Sequence, residues 1–125
     1  MDSPASGVSD DDPCPVSIAV VFEEAIEAGS GSIHVMLEDV SRIDAAAEVV
    51  AESVDGIEHD VGAGDGVTVV LGVPPARRDA GLNIRVHVDC SGSGAITSGD
   101  RITTQSYPVP VGGSSNTATV RVVTV

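Results

Sequence analysis

The stretch VSIAVVFE, residues 16–23, decides the fold, because its side chains alternate in character over the whole length. Successive side chains of an extended chain point to opposite faces, so every second residue shares a face. The larger apolar residues fall together on one face: Val16, Ile18, Val20 and Phe22. This period of two predicts a half-buried β-strand.

The same alternation recurs along the rest of the chain. Further strands are predicted over residues 33–38, 47–54, 67–71, 84–88, 102–109 and 118–125, with Gly-rich turns at 28–32, 62–66 and 91–94. Residues 47–54 also satisfy a helical spacing, and we favour a strand because every other element alternates with period two. Short strands joined by Gly-rich turns predict an all-β fold, an antiparallel β-sandwich of six to eight strands resembling immunoglobulin domains.

The domain boundary is set by the change in pattern near Cys14. Residues 1–13 are rich in Asp, Ser and Pro without periodicity, so we expect a disordered acidic N-terminal tail. Residues 14–125 are then expected to form a single β-sandwich domain, whose 42% hydrophobic content comes with only 2% aromatic residues. Small branched side chains must therefore fill the core.

The charge restricts the classes of partner. The formal net charge is −13, and the six basic residues are all Arg. A field of this sign repels phosphate backbones and anionic lipids, so neither nucleic acid nor a membrane surface is expected as a partner. The high Asp content without any Lys suggests either a GC-rich genome or a salt-rich setting, and in the second case the melting temperature would rise with salt. No apolar run is long enough to span a membrane.

The stretch LEDVSRIDAAAEVVAES, residues 37–53, resembles the hallmark segment of the YbaY family, which includes the YscW-type lipoprotein chaperones of type III secretion. Pieces around it agree in order, including residues 16–26, 74–88, SGDRITTQSYPVPV at 98–111 and 119–125. The resemblance implies a transthyretin-like β-sandwich and a cell-envelope location, with pilotin-type members assisting a secretin subunit. We expect an extracytoplasmic protein if a leader was removed, and a cytoplasmic one if Met1 is the native start.

Polar residues at the end of the second predicted strand form one candidate site. Asp39, Ser41, Arg42 and Asp44 lie where that strand passes into a loop. Asp and Ser side chains there can bond their own backbone, and Arg can bridge carboxylates. The group is either a structural corner or a partner-binding corner.

A second candidate is a weak Cu or Zn site. His34 and Met36 share one strand face, as do His87 and Asp89, and these are ligand types that such metals use. The spacing matches no standard zinc motif, so exposed strand side chains are the simpler interpretation and no cofactor is expected. Four acids, Glu23, Glu24, Glu27 and Glu38, are interpreted as a solvated face, with calcium bridging by clustered carboxylates as the alternative.

The two cysteines, Cys14 and Cys90, allow a disulfide if the protein is exported, and two reduced thiols otherwise. Catalytic motifs are lacking: there is no Gly-x-Ser-x-Gly, and the Gly-rich residues 62–66 precede a strand rather than a helix. The sequence therefore predicts a non-enzymatic, chaperone-like module that binds another protein. A metal-binding protein is the alternative, and a carbohydrate-active enzyme is a third.

Overall fold

The computed structural model describes residues 14–40, 47–74, 81–109 and 117–125. Seven strands lie in these segments, and they contain no helix, so the all-β prediction is confirmed. The strands are β1 (Cys14–Phe22), β2 (Ser32–Asp39), β3 (Glu48–Gly56), β4 (Gly66–Val73), β5 (Leu82–Asp89), β6 (Arg101–Ile102) and β7 (Thr117–Thr124). It follows that none of the described segments could cross a membrane as an apolar helix.

The strands form one mixed sheet rather than the antiparallel sandwich that the pattern predicts. Their order is β3-β2-β5-β6-β7-β1-β4, and the sheet curls until it is nearly closed into a barrel. All neighbours are antiparallel except β1 and β7, which run parallel with Val20 beside Val120. The short β6 pairs with both β5 and β7, which joins the two halves into a single sheet.

The interior of this sheet is filled by the faces that the alternation predicts. Val16, Ile18, Val20 and Phe22 are fully buried, as are the alternate residues of β2 and β5. Branched aliphatic side chains supply most of the core, and Phe22 is its largest fully buried side chain. Because burial of each such side chain is worth roughly 1.5–3 kcal/mol, this core supplies the main stabilising free energy.

The prediction of a strand over residues 102–109 is only partly confirmed. Regular pairing ends at Ile102, although the chain continues beside β5 through backbone bonds from Thr103 to Val86 and from Val109 to Leu82. Pro108 lies in an isolated bridge with Asn83. Proline has no N–H to donate, which interrupts the ladder at this point.

Candidate functional site

The sheet has two free edges, β3 and β4, which face each other across the gap where the barrel is not closed. We call the gap between these strands the seam. In the described part of the chain, no strand pairs with the outer edge of either. Because five of the six pairings around the sheet are antiparallel and one is parallel, β3 and β4 run in opposite directions. A free edge presents unpaired backbone N–H and C=O groups, which is a template for another strand.

The hydrogen bonds of β1 show which residues of β4 direct their backbone N–H and C=O groups towards the free edge. Phe22 N–H donates to Asp65 O at 2.9 Å, and Phe22 O accepts from Gly64 N–H at 2.8 Å. Backbone groups alternate in direction along a strand, so Ile18, four residues before Phe22, also forms hydrogen bonds with its partner on β4, Val69. Thr68 and Val70 lie between such pairs and therefore direct their N–H and C=O groups into the seam.

Side chains make β4 an open, uncharged edge. The sequence of the strand is GVTVVLGV, residues 66–73, without a charged residue. Val70 lies on its outer face and is 58% exposed. Exposed apolar edges of this kind pair readily with other chains unless a charge, a bulge or a covering segment prevents it.

The opposite edge, β3, carries two of those protective features. A bulge opposite Leu37 and Glu38 leaves Val50 without a partner and interrupts the regular ladder. Acidic residues Glu48, Glu52 and Asp55 are exposed along the strand. The seam is therefore asymmetric, with an acidic, irregular edge facing an apolar, regular one.

A cavity of about 310 Å³ lies between the two edges at the end where β3 passes into β4. Ile33, Val67 and Val69 supply its apolar wall, and Asp55, Glu58 and His59 supply its polar wall. The Asp55 carboxylate accepts a hydrogen bond from Ser53 Oγ at 2.9 Å. Within the described residues Asp55 has no cationic partner, so its charge is available to a ligand.

A second cluster surrounds a buried histidine on the outer face of the sheet. His87 is only 8% exposed, and its Nε2 lies 2.7 Å from Asp100 Oδ2. Asp100 is fully buried and also accepts backbone N–H bonds from Cys90 at 2.9 Å and Thr97 at 3.1 Å. These bonds hold the segment 90–100 over the outer face of β5.

The neighbouring Asp89 organises the turn that the SGSG sequence predicts. Its carboxylate accepts backbone N–H bonds from Gly92 at 2.9 Å and Gly94 at 2.8 Å. Both glycines have positive φ, 78° and 81°, a conformation that side chains with a Cβ disfavour. The turn is thus specified by two glycines and one aspartate.

Hydrogen bonds to these carboxylates favour their charged forms. The bond from His87 is the main cause that lowers the pKa of Asp100 to about 2, with burial acting in the opposite direction. The backbone bond from Gly94 is the main cause that lowers the pKa of Asp89. Burial raises the pKa of the Cys90 thiol, which keeps it protonated and a weak nucleophile.

Two of the four predicted metal ligands meet in this cluster. His87 and Asp89 have donor atoms within 4.8 Å of each other and of Asp100. The carboxylates already accept backbone hydrogen bonds, however, so the arrangement serves as an anchor for the segment 90–100. Sequence reasoning missed Asp100, although its position just after Gly99 in a turn is typical of such anchors.

The other predicted ligands lie apart from this cluster. His34 is the cross-strand neighbour of His87, but its Nε2 lies 3.4 Å from Glu52 Oε2. Met36 stands opposite Arg85 and is partly buried. Neither residue belongs to the group of donor atoms around His87.

The remaining predicted residues are distributed over the sheet. Asp39 ends β2, whereas Ser41, Arg42 and Asp44 lie outside the described residues, as does the predicted tail at 1–13.

The solvated-face interpretation is confirmed for Glu23, Glu24 and Glu27 and is wrong for Glu38. That residue is 8% exposed, and its Oε2 lies 3.4 Å from Arg85 Nη1.

Both cysteines are partly buried. Cys14 begins β1 and Cys90 follows the end of β5. Since β1 and β5 run in the same direction, the two thiols lie at opposite ends of the strands, and a bridge between them would require the fold to change.

Comparisons with known proteins support the fold. The chain is similar in structure to an alternative pilotin from the type II secretion system of Vibrio cholerae, with a TM-score of 0.69. The sequences are 19% identical, and the match covers 90% of this chain and 96% of the pilotin. No protein-family model and no curated protein matches the sequence. The shared fold is established, and kinship with the YbaY and YscW proteins stays a prediction.

Proposed function

We propose that this chain is a non-enzymatic protein-binding module that holds its partner at the seam between β3 and β4. The observation that carries the proposal is the edge of β4, which directs the backbone groups of Thr68 and Val70 outward and has no charge to block pairing. Addition of a strand to such an edge is a recurrent mode of peptide recognition, in which backbone hydrogen bonds give affinity. The adjacent cavity would take a side chain of the partner and give selectivity.

A chaperone-like role in the cell envelope is part of the same proposal. Its support is the structural likeness to a secretion-system pilotin, together with the resemblance of residues 37–53 to the YbaY and YscW proteins. Fractionation of the native host, with an antibody against this protein, tests the location. We expect the protein in the envelope or periplasmic fraction, and recovery with cytoplasmic markers would contradict this.

Site-specific photo-crosslinking in the native host tests the binding role. A photoreactive residue replaces Thr68 at the seam, and a matched variant carries it at Gln105, which is also exposed but lies beside β5, away from the seam. We expect a discrete protein adduct from position 68 and none from position 105. No adduct from position 68, or the same adduct from both positions, would overturn the proposal.

A further inference from the structure

We propose that the segment bound at the seam is an extended, cationic stretch of the partner, which adds to the edge of β4 as an eighth strand. This inference rests on the proposed function and specifies the chemistry of the partner. It predicts Lys or Arg residues alternating with apolar residues, because the two walls of the seam differ in character.

Charge selects a cationic segment. Residues 47–74, which contain both edge strands and their connection, hold six acidic residues and no Lys or Arg. Two of the acids, Asp55 and Glu58, line the cavity, and a third, Glu52, lies midway along β3 with its Oε2 3.4 Å from His34 Nε2. Facing carboxylates across a strand pair repel each other, whereas opposite charges stabilise the pair.

The same charges disfavour two other occupants. A second copy of this chain would bring its own acidic β3 edge and a net charge of −13 to the seam. The N-terminal residues 1–13 contain four Asp and no basic residue, so they are repelled as well. Like charges opposed in this way act against self-association and leave the edge available to a basic partner.

The geometry of β4 determines how that segment would lie. Hydrogen bonds to Thr68 and Val70 set the register of an added strand, since the backbone N–H and C=O groups of these two residues point into the seam. Its inward side chains then contact Val67 and Val69 and reach the cavity. A cationic side chain at the cavity can approach the Asp55 carboxylate, whose described partner is a neutral hydroxyl.

The bulge in β3 explains why the segment pairs with β4 rather than with β3. Val50 interrupts regular bonding along β3, whereas the register of β4 with β1 is unbroken from Val73 to Gly66. A regular edge gives an incoming strand consecutive hydrogen bonds, and a bulged edge does not. The acids of β3 then act as charged neighbours rather than as pairing partners.

Binding of defined peptides to the purified protein tests this inference by fluorescence anisotropy. The probe is a ten-residue peptide of alternating Lys and Val, with two matched controls: the Glu–Val peptide and the Lys–Val peptide with N-methyl groups on alternate backbone nitrogens. We expect saturable binding of the Lys–Val peptide, with Kd at least about tenfold higher for each control, which corresponds to about 1.4 kcal/mol. Equal binding of the N-methylated peptide would show simple charge adsorption and overturn the inference.

Two pairs of protein variants locate the peptide. Val70→Pro removes an N–H that faces the seam, while Val70→Thr changes the side chain and keeps that donor. Asp55→Asn with Glu58→Gln removes two charges that line the cavity, and Glu23→Gln with Glu27→Gln removes two exposed charges elsewhere. We expect the first member of each pair to weaken binding about tenfold and the second to change it less than about twofold.

The outcomes separate this inference from the proposed function. If position 68 forms an adduct with a host protein but the Lys–Val peptide does not bind, the module binds proteins and the cationic-strand inference is wrong. If position 68 forms no adduct, the proposed function itself fails. Circular dichroism checks that Val70→Pro is folded, and the N-methylated peptide decides the result on unaltered protein if it is not.

Discussion

Asp100 lies outside the apolar core and anchors the segment that follows β5. It is fully buried and accepts bonds from His87, Cys90 and Thr97, so one carboxylate joins β5 to the segment that follows it. A buried carboxylate is tolerable only when its acceptor sites are filled in this way. Loss of its oxygens would leave three donors without partners at once.

Replacing Asp100 by Ala should therefore lower the free energy of unfolding by about 3 kcal/mol, since each unsatisfied buried donor is costly. Urea unfolding followed by circular dichroism measures this. The matched control is Asp55→Ala at an exposed position, which should cost less than about 0.5 kcal/mol. Equal costs for the two variants would contradict the anchoring role.

The pKa of Asp100 predicts how its contribution depends on pH. The folded-state pKa is lowered to about 2, below the usual value near 4, so the unfolded chain binds the proton first as pH falls. Its stabilising effect is complete above about pH 4 and is lost as pH falls towards 2.

The difference in unfolding free energy between the native protein and Asp100→Asn should accordingly shrink over this interval. Urea titrations at several pH values between about 5 and 2 measure it. Asp89 has a lowered pKa too and is present in both proteins; the Asp100 charge is the smallest of the causes that act on it, so most of its contribution cancels from the comparison. A difference that stays constant over the interval would be inconsistent with the charged Asp100 carboxylate as its source.

At the scale of elements, the two edge strands differ in charge and in regularity. The direction of the backbone groups in β4 can be tested by two substitutions. Val69 is paired to Ile18 and buried, whereas Val70 directs its N–H into the seam and is exposed. Val69→Pro should lower the free energy of unfolding by about 2–4 kcal/mol, because it removes a ladder bond and disturbs the core.

Val70→Pro should cost less than about 1 kcal/mol, since proline is tolerated where the N–H faces away from the sheet. Thermal unfolding of both variants under the same conditions provides the comparison. A larger loss for Val70→Pro than for Val69→Pro would mean that the assignment of inward and outward backbone groups in β4 is reversed.

The elements also show where sequence reasoning succeeds. Alternation placed Val16, Ile18, Val20 and Phe22 on the buried face, because period-two patterning directly encodes a sheet with one face in the core. It misjudged residues 102–109, where Thr103 and Val109 still bond to β5 without forming a regular strand. Propensity detects extended chain but not whether consecutive backbone groups find partners.

At the scale of the whole molecule, pattern alone could not give the order or direction of strands. The parallel pairing of β1 with β7 depends on contacts between the two ends of the chain, which local alternation does not encode. The connection of β5 to β7 within the sheet depends on the two residues of β6, Arg101 and Ile102, which pair with both strands. The sandwich expected from strand count therefore becomes a nearly closed mixed sheet, and the seam appears only once that order is known.

The same tertiary arrangement explains why the sites were only partly predictable. His87 and Asp89 were identified from their shared strand face, but Asp100 reaches them only because the segment between folds back over β5. The sequence predicts that the chain binds another protein, but it does not indicate which surface of the sheet binds. The acidic and apolar walls of the seam come from β3 and β4, which flank one turn-rich connection and close on each other in space.

The net charge of −13 makes a prediction for the molecule as a whole. Mutual repulsion among the acids opposes compaction, and salt reduces it because the Debye length falls from about 10 Å at 0.1 M to about 3 Å at 1 M. The melting temperature should therefore rise by several degrees between low salt and molar NaCl. The variant with Asp55→Asn and Glu58→Gln, which has two charges fewer, should have a higher melting temperature at low salt and a smaller rise with NaCl. Differential scanning calorimetry measures both curves, and a melting temperature independent of NaCl would show that repulsion among these acids does not limit the stability of the fold.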